Sequence, residues 1–300
     1  MCGIVGLHCK TDRFRPCLGE LIVPMLDALT PRGPDSAGIA IYNHVGEDAW
    51  KYSLRAPEKG YDWESFEAEL AGQIHAEVVL VPRGDDAVAI IKAVPEIVLP
   101  AVGELAASMA VVGFGQAIEV FKDVGSAGEV CARYGVADMA GYQAVGHTRM
   151  ATESAVTTAH SHPFSVSSDL ALVHNGSFSN HATIRRELVT EGICCETDND
   201  SEVAARFLGA EIGSGADLDK ALRRALETFD GFFTLLVTSE SSFAVVRDSF
   251  ACKPLVVAET DDYVAVGSEY VALAELPGIE DAKVFEPMPE EVFTWSTPSR

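Results

Sequence analysis

The first seven residues, Met1-Cys2-Gly3-Ile4-Val5-Gly6-Leu7, constrain the fold of this chain more than any other stretch. The apolar, β-branched run after Cys2 predicts a buried strand that holds the N-terminus still. A small residue follows Met1, so we expect Met1 to be removed, which leaves Cys2 with a thiol and a free α-amino group. The reference pKa of an α-amino group is about 7.7–8.0, close enough to neutral pH for the amine to act as the base for the thiol. Cys2 is therefore a candidate nucleophile, although an ordinary small residue on a first strand fits these residues as well.

Charge and cysteine content exclude several classes of function. The chain of 300 residues has 22 Lys and Arg against 45 Asp and Glu, a formal net charge of −23, which argues against a nucleic-acid partner because such proteins need a basic face. We expect no signal peptide and no membrane span, because there is no basic leader and every apolar run is too short. The seven cysteines match no disulfide or zinc framework, so we expect reduced thiols in a cytoplasmic protein.

A helix and a loop follow the first strand. Apolar spacing predicts a helix over residues 18–29, and a second strand is predicted over residues 39–42. The loop between them, residues 30–38, carries Arg32 and Asp35. These two side chains form either an ion pair within the loop or one wall of a site near Cys2.

Residues from about 44 to 142 differ from the rest of the chain. Alternating helical and strand-like patterns there predict a small α/β insertion, and the segment carries no recognisable chemical motif. The helices are expected over residues 63–77, 104–109 and 126–134, and the strands over residues 88–94 and 117–121.

Histidine and amide side chains are concentrated between residues 147 and 181, which hold five of the eight histidines. His160 and His162 would point to one side of a strand, as metal ligands do, but no carboxylate or cysteine follows at a matching spacing. Asn175-Gly176 favours a tight turn; the alternative is an oxyanion hole, made by a side-chain amide and a backbone N–H. Arg149 would then bind a substrate carboxylate.

The remaining third of the chain is predicted to be mixed. Asp200 or Ser201 precedes a helical pattern and is either its N-cap or, for Asp200, the acceptor of a substrate ammonium. A helix over residues 218–229 is followed by four strand-like runs with short turns, which indicate an antiparallel meander. A last strand and a loose tail are expected between residues 288 and 300.

The start of the chain, Cys2-Gly3-Ile4-Val5-Gly6, is similar to that of the class II glutamine amidotransferases, the N-terminal-nucleophile glutaminases. Further stretches resemble this family in the family's order, over residues 1–43 and about 143–295. They are Arg32-Gly33-Pro34-Asp35-Ser36-Ala37-Gly38, Gly146-His147-Thr148-Arg149-Met150-Ala151, His162-Pro163-Phe164, His174-Asn175-Gly176, Asp200-Ser201-Glu202-Val203, and the C-terminal residues 247–255 and 267–269. The insertion is much longer than in the simplest members, and Ala251 stands where the family often has Gly.

The resemblance implies an α+β fold, a four-layer αββα N-terminal-nucleophile hydrolase sandwich over residues 1–300, with the α/β insertion at about 44–142. It also implies hydrolysis of the glutamine amide to glutamate and ammonia. The roles it gives to individual residues are as follows: Cys2 is the nucleophile; Asn175 and Gly176 hold the oxyanion; Arg149 binds the α-carboxylate and Asp200 the α-ammonium; Thr148 and His162 make lesser substrate contacts; and Arg32 and Asp35 form a supporting loop.

The ammonia needs an acceptor, and members of this family usually carry a second domain that uses it. The chain resembles the standalone amidotransferase subunit of glutamate synthase-like complexes, including N-methylglutamate synthase. This implies a hetero-oligomer with a synthase subunit, no cofactor in this chain, and any flavin in the partner. The alternatives are a non-catalytic glutamine-sensing or assembly subunit and, around His160 and His162, a metal-dependent hydrolase.

Overall fold

The computed structural model describes residues 2–151 and 155–297. The strands are β1 (Gly3–Cys9), β2 (Ser36–Tyr42), β3 (Trp50–Arg55), β4 (Val78–Arg83), β5 (Asp86–Ile91), β6 (Ala110–Gly115), β7 (Ile118–Val124), β8 (Gln143–Arg149), β9 (Ala171–Phe178), β10 (Gly231–Ser239), β11 (Ser242–Arg247), β12 (Val256–Glu259), β13 (Tyr263–Gly267), β14 (Lys283–Phe285) and β15 (Val292–Ser296). The α-helices are α1 (Leu18–Asp27), α2 (Trp63–Ile74), α3 (Pro95–Leu105), α4 (Ala127–Tyr134), α5 (His181–Thr190), α6 (Asp200–Gly213) and α7 (Leu218–Thr228).

Two antiparallel sheets lie face to face at the centre of the molecule. The larger sheet has the strand order β14-β12-β13-β1-β8-β2-β7, and the smaller has the order β15-β11-β10-β9. Apolar side chains of both sheets form one core between them. Helices α1 and α4 pack on the outer face of the larger sheet, and helices α5, α6 and α7 cover the smaller. This is the four-layer αββα sandwich expected from the sequence, so the fold class is confirmed.

Strand β1 is buried along its whole length and lies in the middle of the larger sheet, between β13 and β8. Its side chains alternate between two cores, as a strand dictates: Val5 and Leu7 pack beneath α1, whereas Ile4 packs between the sheets. Burying each of these side chains stabilises the fold by roughly 1.5–3 kcal/mol. The apolar run after Cys2 therefore ties the N-terminus to the centre of the protein.

The segment 44–142 contains two structurally different parts. Strands β3 to β6 form a separate four-stranded sheet of order β4-β5-β3-β6, which shares a core of its own with α2 and α3. Strand β7 instead pairs with β2 at the edge of the larger sheet, and α4 packs in the core beneath that sheet. Only residues 50–115 thus form the separate sheet and its two helices.

Some sequence expectations were wrong in detail. The four C-terminal strands do not form one meander: the hairpin of β10 and β11 belongs to the smaller sheet, and the hairpin of β12 and β13 to the larger. No short-range pattern distinguishes the two, because all four strands are buried in the same sandwich. The helix expected over 104–109 is instead α3, which begins at Pro95, since proline suits a first helical turn, and ends at Leu105, so residues 106–109 are not helical. Strands β3, β4 and β6 were not expected.

Within residues 2–151 and 155–297, no helix combines the length and the apolar character that crossing a bilayer requires.

Candidate active site

A cavity of about 550 Å³ lies beside β9, the edge strand of the smaller sheet. The residues that line it are Cys2, Arg149, Met150, His162, His174, Gly176, Ser177, His181, Asp198, Asn199, Asp200, Ser201, Phe232 and Lys253. Five of the residues singled out in the sequence are among them, although they are spread over almost 200 positions of the chain.

The backbone carbonyl of Cys2 is held from two sides. It accepts hydrogen bonds from Arg32 Nε at 3.0 Å and from Asn175 Nδ2 at 3.3 Å. Arg32 also forms an ion pair with Glu269. The next residue but one, Ile4, is fixed to Ser268: its N–H donates to Ser268 Oγ and its carbonyl accepts from Ser268 N–H, both at 2.9 Å. The start of the chain is thus anchored just before it enters β1.

The loop carrying Arg32 and Asp35 supports the cavity, and the two residues do not pair with each other. Arg32 pairs with Glu269, while the Asp35 carboxylate accepts from Ala151 N at 2.8 Å and the Asp35 N–H donates to the Arg149 carbonyl at 3.1 Å. The loop therefore fixes both Cys2 and the end of β8. Of the two interpretations, an ion pair within the loop or one wall of a site near Cys2, the structure favours the second.

Arg149, the last residue of β8, is only 4% exposed and lines the cavity. Its Nη1 donates to the Ala155 carbonyl at 3.0 Å. Burial lowers the pKa of the guanidinium, and the negative charges of Cys2 as thiolate and of Asp35 partly offset this effect. Arginine keeps its charge in proteins, so the cavity contains a cation that can bind a carboxylate.

The backbone of β9 places the Gly176 N–H on the cavity side. Gly176 pairs with Phe233 of β10, but both backbone groups of Phe233 bond to Asp248 instead: its N–H donates to the carboxylate and its carbonyl accepts from the N–H. The pair is therefore one of the non-hydrogen-bonded pairs of an antiparallel ladder, and the Gly176 N–H points away from β10. Two residues on, the Phe178 N–H has the same direction and donates to Asp200 Oδ2 at 3.0 Å.

Asp200 begins α6 at the same edge of β9. Besides the bond from Phe178, its carboxylate accepts from Ser201 Oγ at 3.3 Å. The predicted cap role is wrong for both residues, because Asn199 is the N-cap, with its Oδ1 accepting from Ser201 N at 2.9 Å. Asp200 is instead a half-buried carboxylate in the cavity lining, which also includes the Arg149 cation.

Three buried histidines lie together at the cavity wall: His162 and His174 line the cavity, and His147 packs behind them. The ring of His162 stacks on that of His147 with centroids 4.0 Å apart, and His147 Nε2 donates to the His174 carbonyl at 2.9 Å. Burial lowers the pKa of His147 to about 3 and lowers the pKa of His162 and of His174 as well. His174 also bonds through Nδ1 to Ser201 Oγ at 2.8 Å. All three imidazoles are neutral at pH 7, so the site holds polar rings without added charge.

Two sequence expectations do not match this geometry. The Thr148 hydroxyl faces away from the cavity and donates to the Leu29 carbonyl at 3.0 Å, so its side chain makes no substrate contact. His160 and His162 do not share a metal site: His160 bonds to Thr157 Oγ1 and Asp198 Oδ1, while His162 is buried against His147. Among the described residues, no three His, Cys, Asp or Glu side chains are grouped so that they could hold a metal ion.

Some residues of the site received no role from the sequence. His174 and Lys253 both line the cavity, and Lys253 Nζ lies 5.0 Å from the ring centroid of Phe232. Both lie within family-like motifs, which was the available signal. Their position at the cavity depends on contacts between distant strands, which local patterns do not show. Met1, whose removal the proposed nucleophile requires, lies outside the described residues.

Comparison with known proteins identifies the family of the chain. Residues 147–275 match the model of the glutamine amidotransferase domain family. The chain is 49% identical over 295 residues to the glutamine amidotransferase-like protein GlxB of Rhizobium meliloti, with 98% of each chain covered. It is 31% identical over 176 residues to the amidophosphoribosyltransferase of Methanocaldococcus jannaschii, which covers 58% of this chain and 37% of that protein.

Solved structures share the fold. The glutamine phosphoribosylpyrophosphate amidotransferase from B. subtilis superposes with a TM-score of 0.62 at 18% identity, over 97% of this chain and 46% of that one. This chain thus spans about half the length of that enzyme. The chain is 49% identical over nearly its full length to a glutamine amidotransferase-like protein and has the fold of the B. subtilis enzyme. It therefore belongs to the class II glutamine amidotransferases.

Proposed function

We propose that this glutamine amidotransferase hydrolyses the glutamine amide through the Cys2 thiol and delivers the ammonia to a separate synthase subunit of the glutamate synthase or N-methylglutamate synthase type. The observation that carries the first half is the cavity itself. It brings a cysteine next to the N-terminus together with a buried guanidinium, a carboxylate and a backbone N–H that points off a sheet edge.

Free glutamine is a zwitterion, and the cavity is charged to match. Arg149 is proposed to bind its α-carboxylate, because a guanidinium makes a bidentate match to that group. Asp200 is proposed to accept the α-ammonium, with Asp198 adding negative charge on the same side. The amide then extends toward Cys2. The neutral ring of His162 is proposed to form a hydrogen bond with the substrate.

The chemistry follows from these positions. After Met1 is removed, the α-amine of Cys2 takes the thiol proton and the sulfur attacks the amide carbon. The oxyanion that forms is stabilised by the Gly176 N–H and the Asn175 side-chain amide. Collapse of the tetrahedral adduct breaks the C–N bond, and the amine returns the proton to the departing ammonia. Water then hydrolyses the thioester, which releases glutamate and restores the thiol.

Labelling with a glutamine-analogue electrophile tests the nucleophile. We expect mass spectrometry of the intact, active protein to find Met1 absent and one label on Cys2. The exposed Cys194 and Cys252 are the matched controls, because they are free thiols that carry no α-amine of their own. Cys2→Ala should abolish turnover and labelling, whereas Cys194→Ser and Cys252→Ser should keep both. Active protein that retains Met1 would exclude the mechanism.

The second half of the proposal rests on chemistry and on exposed apolar surface. Ammonia released into water is protonated and lost as a nucleophile, so a synthesis needs a sheltered path from the cavity. Phe232, at the cavity wall, is 44% exposed and Phe250 is 73% exposed. In the insertion, Val79 and Ile97 are about half exposed. Single exposed apolar side chains are common on protein surfaces, so these four positions serve as sites at which docking can be tested. The insertion and the C-terminal tail, whose residues 298–300 lie outside the described residues, remain the proposed docking surfaces.

Co-expression with the genomic neighbours tests the partner. We expect a stable hetero-oligomer by light scattering, an interface of well over ~1,000 Å², faster glutamine turnover in the complex, and any flavin absorbance in the partner fraction. Phe250→Asp and Ile97→Asp should weaken assembly if their surfaces dock, while an exposed polar change, Glu64→Gln, should not. A monomer that is fully active, and whose rate no neighbour changes, would point to a free glutaminase.

The free thiols of all seven cysteines fit the proposed cytoplasmic location.

A further inference from the structure

Lys122 is a buried cation that the proposed chemistry does not use. It lies on β7, at the edge of the larger sheet, and is 7% exposed. Its ammonium donates to the carbonyls of Ser161 at 2.9 Å and Pro163 at 3.2 Å, and stands 4.9 Å from the ring centroid of Phe164. Burying an ammonium is costly unless its protons are bonded. Here the bonding partners are two backbone carbonyls that flank a single residue, His162.

The carbonyl of His162 itself is held on the neighbouring strand. Gly38 of β2 lies directly opposite Lys122 in the β2–β7 register. A Cβ placed on Gly38 would lie 2.1 Å from the His162 carbonyl oxygen and 2.6 Å from Lys122 Cβ. Only a glycine therefore lets the loop approach the sheet this closely. Three consecutive carbonyls, those of residues 161–163, are seated against Gly38 and Lys122.

We propose that Lys122 is a positioning residue for glutamine hydrolysis. Its ammonium fixes residues 161–163, and these in turn set the ring of His162, which lines the cavity and stacks on His147. Lys122 does not touch the substrate, and its effect passes through His162. The inference rests on the proposed contact between His162 and glutamine. It assigns a role to Gly38, within the family-like stretch of residues 32–38, and to Lys122, which lies in the segment where the sequence shows no chemical motif.

Lys122 also faces a second cavity, of about 880 Å³, between the β3–β6 sheet and the body of the protein. The charged groups that line this cavity are Glu202 and Glu196, which favour the ammonium, and Arg55, which opposes it; Arg206 lines it too and pairs with both carboxylates. His162 faces it from the catalytic side. Burial outweighs the two carboxylates and lowers the pKa of Lys122 to about 8. Above that pH the neutral amine forms weaker bonds than the ammonium, since charge-assisted hydrogen bonds are roughly twice as strong.

The test compares Lys122→Met with Lys51→Met. Lys51 is the matched control, because its side chain is fully buried but its Nζ bonds to Glu119 of β7 at 2.6 Å, so it ties the separate sheet to β7 and not to residues 161–163. We expect K122M to lose tenfold or more in kcat/KM while remaining folded, and K51M to stay within twofold. The fall in kcat/KM near pH 8 should be present in the wild-type enzyme and absent from K122M. If K122M does not fold, Lys122→Gln replaces it in the test. Because the glutamine amide still donates, we expect K122Q to lose less than tenfold in kcat/KM.

A double-mutant cycle with His162→Leu separates positioning from general stability. If Lys122 acts through His162, adding K122M to H162L should cost less than twofold further in kcat/KM. Equal losses in both backgrounds would overturn the proposal, as would a folded K122M enzyme with kcat/KM within twofold of wild type. The proposed function has a separate test: it would be wrong if the Cys2→Ala variant kept glutaminase activity, whatever the Lys122 variants show.

Discussion

The side-chain amide of Asn175 donates to the carbonyl oxygen of Cys2 across 3.3 Å. This bond joins the edge strand of the smaller sheet to the residue that precedes the central strand of the larger one. Asn175 is 2% exposed, so the contact is shielded from solvent. An amide nitrogen carries two N–H groups. One holds Cys2 in place, and the other is proposed to face the oxyanion, so a single side chain couples the position of the nucleophile to stabilisation of the transition state.

Asn175→Ala should therefore lower kcat by roughly 10²–10³, as loss of an oxyanion donor does. Steady-state glutaminase assays at saturating glutamine measure the effect. Gln143→Ala is the control. Gln143 is another fully buried amide on a strand of the sandwich, and it donates to the Ser239 carbonyl. It begins β8, whereas the cavity residue Arg149 ends that strand. The Gln143→Ala variant should lower the free energy of unfolding and leave kcat nearly unchanged. Equal losses of kcat in the two variants would contradict the oxyanion role of Asn175.

Arg32→Lys probes the second contact to the Cys2 carbonyl. A lysine keeps a positive charge near Glu269 but removes the Nε donor that lies 3.0 Å from the Cys2 oxygen. We expect kcat to fall about tenfold, because the nucleophile is less well positioned, and stability to fall by only about 1 kcal/mol, the usual worth of a hydrogen bond. Arg13→Lys, in the exposed pair with Asp262, should change neither quantity. An R32K enzyme with wild-type kcat would show that Arg32 supports only the fold.

The sequence predicted the layers of the fold better than it predicted which sheet each strand belongs to. The buried apolar run of β1 and the apolar face of α1 are local properties, and both were expected. The division of the C-terminal hairpins between two sheets is a long-range property, and it was missed. Within the site, strand alternation alone could have excluded Thr148: it is next to Arg149 on β8, so the two side chains point to opposite faces. Lys253 could not have been placed, because only tertiary contacts bring it to Phe232.

Gly176→Ala should damage both stability and activity. Gly176 has φ +149°, and an added Cβ would lie 2.1 Å from the Phe232 carbonyl oxygen and 3.0 Å from His174 Nε2. We expect a loss of at least about 2 kcal/mol in the free energy of unfolding, since backbone strain alone costs about 1–3 kcal/mol, together with loss of turnover as the N–H moves. Gly72→Ala, at an exposed position within α2 with open space around it, should instead stabilise by about 0.5–1 kcal/mol. Urea unfolding and activity of the same preparations give both readouts.

Acid should destabilise the protein through its buried histidines. Burial lowers the pKa of His147 to about 3 and that of His162 well below its ordinary value, whereas in the unfolded chain both titrate near 6.5. Between these values the unfolded state binds more protons than the folded state, so the free energy of unfolding falls as the pH drops below about 6.5. At pH 5.5 the expected loss relative to pH 7.5 is roughly 1 kcal/mol for each of these histidines.

Urea unfolding at pH 7.5, 6.5 and 5.5 measures this loss. His162→Leu removes one of the buried titrating rings, and neither nitrogen of that ring has a hydrogen-bond partner among the described residues. H162L should therefore show a shallower pH dependence, by the contribution of one histidine. His75→Asn is the control: His75 is exposed, with φ +53°, a conformation that asparagine tolerates, and it should keep the wild-type slope. A wild-type stability that stays constant from pH 7.5 to 5.5 would mean that these rings are protonated alike in the folded and unfolded states, and that their stack is not the neutral wall proposed for the glutamine site.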